Sequence, residues 1–222
     1  TKGWRTRGIS EPDSERVLEG PREGFDEAAM LNLAMIRRKL LTPDLCIEML
    51  RIGRRTDTPI FICYLGSLAD QSTVNELKKR LQKIDIDGIL DSNYIAESLR
   101  SCRYGMLKIT GSTERPDVVA ARLLEGRIAL VVDGTPMVLT LPFLFSENFQ
   151  SDEDYYVNFW LATLGRVLRW LCFFISVSVP GVFVALTTHH FELLPTQFVL
   201  SVANLRKGVP IASAAECIAL IF

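Results

Sequence analysis

Side chains that commonly carry out catalysis or bind metals are few in this chain, and their spacing suits neither task. The first 158 residues contain no histidine, and His189 and His190 are adjacent rather than at helical ligand spacing. The five cysteines form no CxxC pair, and Cys172 and Cys217 lie in apolar runs. We therefore expect reduced, buried thiols on the cytosolic side of a membrane, without zinc or redox chemistry. No glycine-rich phosphate loop or Ser/His/Asp set occurs in the first 158 residues, so we predict neither an enzyme nor a cofactor.

Two aspartates followed by a glycine, Asp85-x-Asp87-Gly88, resemble the middle of a calcium-binding loop. Such a loop needs an acidic residue at its first ligand position and a glutamate at its last. When Gly88 is aligned with the fixed glycine of the loop, these two positions are occupied by Lys83 and Tyr94. The sequence therefore argues against calcium, and we predict no metal site.

Two adjacent arginines, Arg54 and Arg55, lie in a polar loop between two predicted strands. A guanidinium group binds carboxylates and phosphates through paired hydrogen bonds, so both are candidates for contact with an anion or an acidic partner. The alternative interpretation is that they are solvated loop arginines. Arg115 and Asp117 stand on either side of Pro116 at a predicted helix start, and we interpret them as a local structural pair.

The apolar run at residues 170–188 predicts a transmembrane helix. Its nineteen residues contain no Asp, Glu, Lys, Arg or His, and at helical rise they cover roughly 29 Å, about the thickness of a hydrocarbon core. Pro180 and Gly181 lie near its middle, as a hinge for opening or as a tolerated kink. Arg166 and Arg169 precede the run, so the positive-inside rule places the preceding domain in the cytosol.

A second apolar run begins at Val209 and contains Glu216. We predict that residues 189–208 connect the two runs and that residues 209–222 begin a second, truncated membrane segment. A carboxylate inside a bilayer costs roughly 2.5 kcal/mol or more, so Glu216 is a candidate for a pore-lining or gating group. The alternative is that this segment begins at a shallow depth and Glu216 lies among the headgroups.

The part of the chain before the membrane is slightly acidic. Its 158 residues carry 21 Lys and Arg against 24 Asp and Glu, which argues against non-specific binding to nucleic acid. Residues 1–21 lack apolar periodicity and are predicted to be a linker. Because the chain begins with Thr1 and stops within an apolar run, we expect it to be a fragment.

Hydrophobic periodicity predicts an α/β domain made of two small α/β subdomains, residues 22–100 and 101–148. A junction at 149–169, acidic and aromatic at its start, then leads into the transmembrane helix. Asp133-Gly134 predicts a two-residue hairpin turn. The predicted helices cover 23–41, 70–83, 92–100 and a stretch from a Thr113 cap to Glu125, and the predicted strands are Leu45–Ile52, Ile60–Leu65, Ile128–Val132 and Met137–Leu141.

Several short strings of this sequence occur together in one family of proteins. The strings are Gly20-Pro21-Arg22-Glu23-Gly24-Phe25, Ile52-Gly53-Arg54-Arg55-Thr56, Ile84-Asp85-Ile86-Asp87-Gly88-Ile89, Thr113-Glu114-Arg115-Pro116-Asp117, Glu125-Gly126-Arg127, Val132-Asp133-Gly134-Thr135-Pro136, Gln150-Ser151, Asp154-Tyr155-Tyr156, and Arg206 with Gly208-Val209-Pro210. Through them the chain resembles the A subunit of bacterial spore germinant receptors, the GerA spore germination protein family. A sister branch, the stage V sporulation protein AF type, shares these strings.

The resemblance implies an integral protein of the spore inner membrane with a cytoplasmic N-terminal domain. It implies partnership with B-type and C-type receptor subunits, response to nutrients, and self-association into an oligomeric ion-conducting part. The family pattern also has a glutamate where Glu216 lies. We expect a non-enzymatic subunit for signal transduction in germination, and the competing hypothesis is a membrane-anchored module that binds a small ligand or anion through Arg54 and Arg55.

Overall fold

The chain divides into two compact units, Thr1–Val157 and Asn158–Phe222. The computed structural model describes residues 20–100, 109–151 and 156–188, together with residues 11, 12, 14, 15, 154, 197 and 204. The predicted connecting segment and second membrane segment, with Glu216, therefore lie outside the described residues, apart from two isolated positions.

The first unit is built on one five-stranded antiparallel sheet with the strand order β1-β2-β4-β5-β3. The strands are β1 (Leu45–Ile52), β2 (Thr58–Leu65), β3 (Gly111–Thr113), β4 (Ile128–Val132) and β5 (Val138–Leu141). The predicted α/β class is confirmed. The two predicted subdomains, 22–100 and 101–148, contribute strands to this single sheet, with Ile60 of β2 opposite Val132 of β4. An isolated two-stranded hairpin is marginal in water, so β1 and β2 gain stability by pairing with β4.

Within the described ranges 20–100 and 109–151, four α-helices and one 3-10 helix accompany the sheet. They are α1 (Ala29–Lys39), α2 (Gln71–Gln82), α3 (Ser92–Leu99), α4 (Pro116–Leu124) and the 3-10 helix Phe145–Phe149. Each of the four predicted helices of this domain is present, with ends that differ from the prediction by up to six residues. Asp70 caps α2, because its carboxylate accepts from the backbone N–H groups of Ser72 and Thr73.

Helices cover both faces of the sheet, so two apolar cores form. Side chains of α2 and α3, such as Leu81 and Ile95, pack with Ile62 and other residues of one sheet face. Side chains of α1 and α4, such as Ile36 and Leu123, pack on the opposite face. Burial on both faces explains why β4 is a continuous apolar run rather than an alternating one.

The structure corrects three details of the predicted elements. Helix α1 begins at Ala29 rather than at 23, because the chain at Phe25 lies outside the helix and donates its N–H to the Glu114 carbonyl at 2.8 Å. The N-cap of α4 is Arg115, whereas Thr113 ends the unpredicted strand β3. The hairpin predicted at Asp133-Gly134 is present, because β4 and β5 pair antiparallel, but residues 133–137 connect the strands, so the loop is longer than the two residues predicted.

The second unit contains helix α5, Phe159–Thr188. Among the described residues it is the one helix that is long and apolar enough to cross a membrane, over Phe159–Leu186. At 1.5 Å per residue its thirty residues extend about 45 Å, longer than a hydrocarbon core of about 30 Å. Helix α5 includes both the predicted span 170–188 and the last eleven residues of the predicted junction 149–169. It continues through Pro180 and Gly181 without a break.

Candidate functional site

The loop between β1 and β2 packs against the segment that follows α2. The N–H groups of Arg54 and Arg55 donate to the carbonyls of Ile86 and Asp87 at 3.0 and 2.8 Å. Thr56 belongs to the same loop, and its Oγ1 accepts from the Ile89 N–H at 3.1 Å. A β-carbon at Gly88 would lie 2.9 Å from Thr56 Cγ2, so this close approach needs glycine.

The Arg54 guanidinium binds a carboxylate of the same chain. Its Nε donates to Asp85 Oδ1 at 2.6 Å, and a second hydrogen bond joins Nη2 to Oδ2. These hydrogen bonds from Arg54 lower the pKa of the exposed Asp85 carboxyl. The Arg55 side chain is exposed, and within the described residues it forms no ion pair. The two arginines that were predicted as an anion contact therefore differ, because Arg54 already has an anionic partner.

A second polar cluster lies at the start of α4. Arg115 is only 1% exposed, and its Nε donates to Asp117 Oδ1 at 3.1 Å. The Tyr156 hydroxyl donates to Asp117 Oδ2 at 2.5 Å, and the Tyr156 ring centroid is 5.8 Å from the Arg115 guanidinium carbon. Burial raises the pKa of Asp117, but hydrogen bonds from Arg115 and then Tyr156 outweigh it, so the pKa is below its ordinary value.

Gly24 and the turn at residues 133–134 lie beside the segment that leads into α1. Gly24 is buried and directly precedes Phe25, whose N–H donates to the carbonyl of Glu114, between β3 and α4. Asp133 Oδ1 accepts from the Ala29 N–H at 3.0 Å, so it satisfies a free donor at the start of α1 from 104 positions away. Gly134, at φ 91°, donates its N–H to the Glu27 carbonyl at 2.8 Å. The turn thus docks α1 onto the sheet.

A cavity of about 240 Å³ lies between α4, the 3-10 helix and Tyr156. Glu147, whose side chain is 7% exposed, lies 2.5 Å from Arg127 Nη1 and 3.3 Å from Arg122 Nη2. Arg122 Nη1 also donates to Thr140 Oγ1 at 2.5 Å. A β-carbon at Gly111 would stand 2.7 Å from that Nη1, so glycine leaves room for the guanidinium. The cavity is therefore bordered by fixed ion pairs.

A comparable tyrosine–carboxylate contact occurs on the opposite sheet face. The Tyr64 hydroxyl donates to Glu48 Oε1 at 2.6 Å, and Lys78 Nζ donates to the same carboxylate at 2.7 Å. The hydrogen bond to Glu48 raises the pKa of Tyr64 to about 12. The Lys78 ammonium lies 5.8 Å from the Tyr64 ring centroid. This contact has the same chemistry as the Asp117 cluster.

Comparison with known proteins identifies the family of the chain. A family model described as Bacillus/Clostridium GerA spore germination protein matches residues 1–222. The chain belongs to the GerA family. The family predicted from the short strings is therefore confirmed.

Two individual proteins show the extent of the similarity. Spore germination protein KA of Bacillus subtilis (strain 168) is 44% identical over 220 residues, which are 99% of this chain and 40% of that protein. Uncharacterized membrane protein YfkQ of the same strain is 39% identical over 217 residues, 98% of this chain and 42% of that protein. The chain thus spans about two fifths of the length of these relatives.

A solved structure is also similar. It is the crystal structure of the N-terminal domain of the A subunit of the Bacillus megaterium spore germinant receptor GerK3. It shares 47% sequence identity and covers 55% of this chain and 97% of that chain, with a TM-score of 0.46.

The strings that resemble the GerA family account for both polar clusters. The strings at 52–56 and 84–89 supply the first cluster, and those at 113–117 and 154–156 supply the second. Sequence reasoning missed Arg122 and Glu147, which belong to none of these strings. It also did not connect Tyr156 with Asp117, because 39 positions separate them and neither spacing nor periodicity joins such distant side chains.

Among the described residues of this GerA-family chain, no group of three His, Cys, Asp or Glu side chains is placed to hold a metal ion. Pro180 and Gly181 lie within α5, and a β-carbon at Gly181 would meet nothing within 4 Å. Their predicted role in gating stays a prediction. Glu216 lies outside the described residues, so its predicted role also stays a prediction.

Proposed function

We propose that this chain is part of a membrane subunit of a spore germinant receptor that acts in nutrient-triggered germination. The observation that carries the proposal is the match to the GerA family over residues 1–222, combined with a folded domain followed by an apolar helix long enough to span a bilayer. A relative named as a spore germination protein and another named as a membrane protein support it.

The proposed subunit is not an enzyme and conducts ions as an oligomer. It associates with copies of itself and with B-type and C-type subunits in the spore inner membrane. Arg166 and Arg169, which precede the uncharged run at 170–188, support a cytoplasmic position for the folded domain. Nutrient binding elsewhere in the complex would shift the population from a closed to an open packing, through contacts that differ between the two states.

The competing module that binds an anion through Arg54 and Arg55 receives less support. The Arg54 guanidinium is already paired with Asp85 through two hydrogen bonds. An incoming anion would have to compete with this intramolecular carboxylate. We therefore propose the receptor subunit as the function of the chain.

The test is ion flux through the full-length protein, reconstituted in liposomes with its partner subunits. We expect nutrient to trigger flux, and we expect Glu216→Gln to lower that flux about tenfold, equivalent to a loss of about 1.4 kcal/mol of ion stabilisation. Glu192→Gln is the matched control, because it removes the same charge outside the apolar runs. Equal flux in both variants would contradict a pore-lining Glu216, and absence of flux from the unmodified receptor would contradict the channel function.

A further inference from the structure

Tyr156 attaches the end of the first unit to the start of α4. It lies two residues before Asn158, where the second unit begins. Its hydroxyl donates to Asp117 Oδ2 at 2.5 Å, and its ring faces the Arg115 guanidinium. The segment that leads into α5 is thereby tied to the folded domain at a defined point.

The two sides of this contact differ in rigidity. Arg115 and Asp117 have side chains that are 1% and 8% exposed, and they begin a helix whose Val119 and Leu123 are fully buried in the core. Tyr156 is 39% exposed and holds Asp117 through a hydroxyl group. The carboxylate is therefore fixed by the core, whereas the Tyr156 side chain is exposed and belongs to neither apolar core.

The surroundings of Tyr156 are a close backbone contact, a buried carboxylate and a cavity. A β-carbon at Gly20 would stand 3.0 Å from the Tyr156 ring, so the ring packs closely on the chain that precedes the domain. The Glu147 carboxylate is more deeply buried than Tyr156 and contacts two arginines, which makes it a fixed anchor. The cavity of about 240 Å³ lies between this anchor and Tyr156.

We propose that Arg115, Asp117 and Tyr156 form a releasable latch that passes changes in the folded domain to the chain entering α5. This inference rests on the proposed receptor function, for which it names the residues that transmit the signal. Movement of α4 displaces Asp117, and the hydrogen bond to Tyr156 breaks before the buried ion pair between Arg115 and Asp117. Arg115 and Asp117 act as positioning residues for Tyr156.

The test compares Tyr156→Phe with Tyr64→Phe in the full-length protein in vesicles. Each variant removes one hydroxyl that donates to a carboxylate beside a cation. Loss of such a charged hydrogen bond corresponds to about a tenfold change in the open population. We therefore expect amide hydrogen exchange near residues 156–158 to become about tenfold faster in Tyr156→Phe and to stay unchanged in Tyr64→Phe.

A second measurement connects the latch to signalling. We expect the nutrient concentration for half-maximal ion flux to fall in Tyr156→Phe, because part of the cost of opening has been removed. Unchanged exchange near residues 156–158 would overturn the latch itself. Faster exchange with an unchanged flux response would overturn its role in transmission while leaving the receptor function intact. Absence of flux from the unmodified receptor would overturn the proposed function and the transmission role with it.

Discussion

At the scale of single residues, the burial of Arg115 is the most demanding feature of the domain. Its side chain is 1% exposed and charged, and the Asp117 carboxylate balances that charge and accepts hydrogen bonds from Nε and Nη2. Removing one member of a buried pair leaves an uncompensated charge, which typically costs 3–5 kcal/mol. The pair is therefore expected to be more important for stability than any exposed ion pair of the domain.

Asp117→Asn should lower the free energy of unfolding by about 3 kcal/mol at neutral pH, because it removes the carboxylate charge that pairs with the buried Arg115 guanidinium. The pKa of Asp117 is lowered in the folded state. A carboxylate of this kind contributes stability above its unfolded pKa of about 3.9, and the contribution is lost as pH falls through the folded pKa. Urea unfolding of the detergent-solubilised chain across pH measures both effects.

Tyr156→Phe is the comparison for this experiment, because it removes one hydroxyl and leaves the ion pair intact. The difference between unmodified protein and Asp117→Asn should stay constant above about pH 5 and shrink below about pH 4. A difference that instead grows with acidity would show that Asp117 is not ionised in the folded domain.

The local Arg115–Asp117 pair could be predicted from the sequence because its members are two positions apart at a helix start. The hydrogen bond between Tyr156 and Asp117 could not, since it depends on how the chain returns to α4 after the sheet is complete. The ion pair of Arg54 with Asp85 could not be predicted either. The two strings that contain these residues were visible, but their contact depends on the loop after α2.

At the scale of elements, strand β1 lies at one end of the sheet, so one of its edges pairs with β2 and the other does not. The Gly66 N–H donates to the Asp44 carbonyl at 3.0 Å, in continuation of the pairing of Leu45 with Leu65. The direction of the backbone N–H and C=O groups alternates along a strand. In β1 these groups therefore point toward β2 in even-numbered residues and away from β2 in odd-numbered residues. Asp133 donates to the Pro59 carbonyl, which confirms that odd-numbered residues of β2 face β4.

Met49→Pro should therefore be tolerated much better than Leu50→Pro. The Met49 N–H points away from β2, and an edge position can accept proline. Proline at Leu50 removes a hydrogen bond between β1 and β2 and should cost about 3 kcal/mol or more. The midpoint of urea unfolding for each variant measures the difference.

Equal destabilisation by the two prolines would contradict the assigned directions of the β1 backbone groups. Met49→Ala and Leu50→Ala serve as controls for the loss of each side chain. They differ because Met49 is exposed whereas Leu50 packs partly against a core.

Strongly apolar elements could be predicted from the sequence, and short polar ones could not. The bounds of β1 and β4 agree with the prediction because eight and five apolar-rich residues lie between clear loop signals. Strand β3 consists of Gly-Ser-Thr and has no such pattern, so it forms through pairing with β5. The order of strands also needs contacts between distant segments, which periodicity does not encode.

At the scale of the whole molecule, the chain combines a folded α/β unit with a helix of different chemistry. The folded unit has buried polar pairs and two apolar cores, whereas Phe159–Leu186 carries apolar side chains without a covering protein core among the described residues. Burying such a helix in lipid removes its apolar surface from water. The division into a folded domain and a membrane helix could be predicted from the sequence, because a long run of uncharged residues is the pattern that most clearly indicates a membrane helix.

The full chain should remain with vesicles after washing with alkaline carbonate. A variant with Val177→Arg should be extracted at least partly, because a cation near the middle of a membrane helix costs about 2.5–3.5 kcal/mol. Val177→Ala is the control for loss of the side chain. Immunoblotting of pellet and supernatant measures the distribution, and complete release of the unmodified chain would contradict membrane insertion.

The close approach of Gly111 to Arg122 also has a consequence for how GerA proteins diverge. Any replacement at 111 introduces a β-carbon only 2.7 Å from the guanidinium nitrogen that bonds to Thr140. A side chain at this position requires the end of the Arg122 side chain to shift, which disturbs its contacts with Thr140 and Glu147. The three positions should therefore change together during evolution, as a compensating set rather than one at a time.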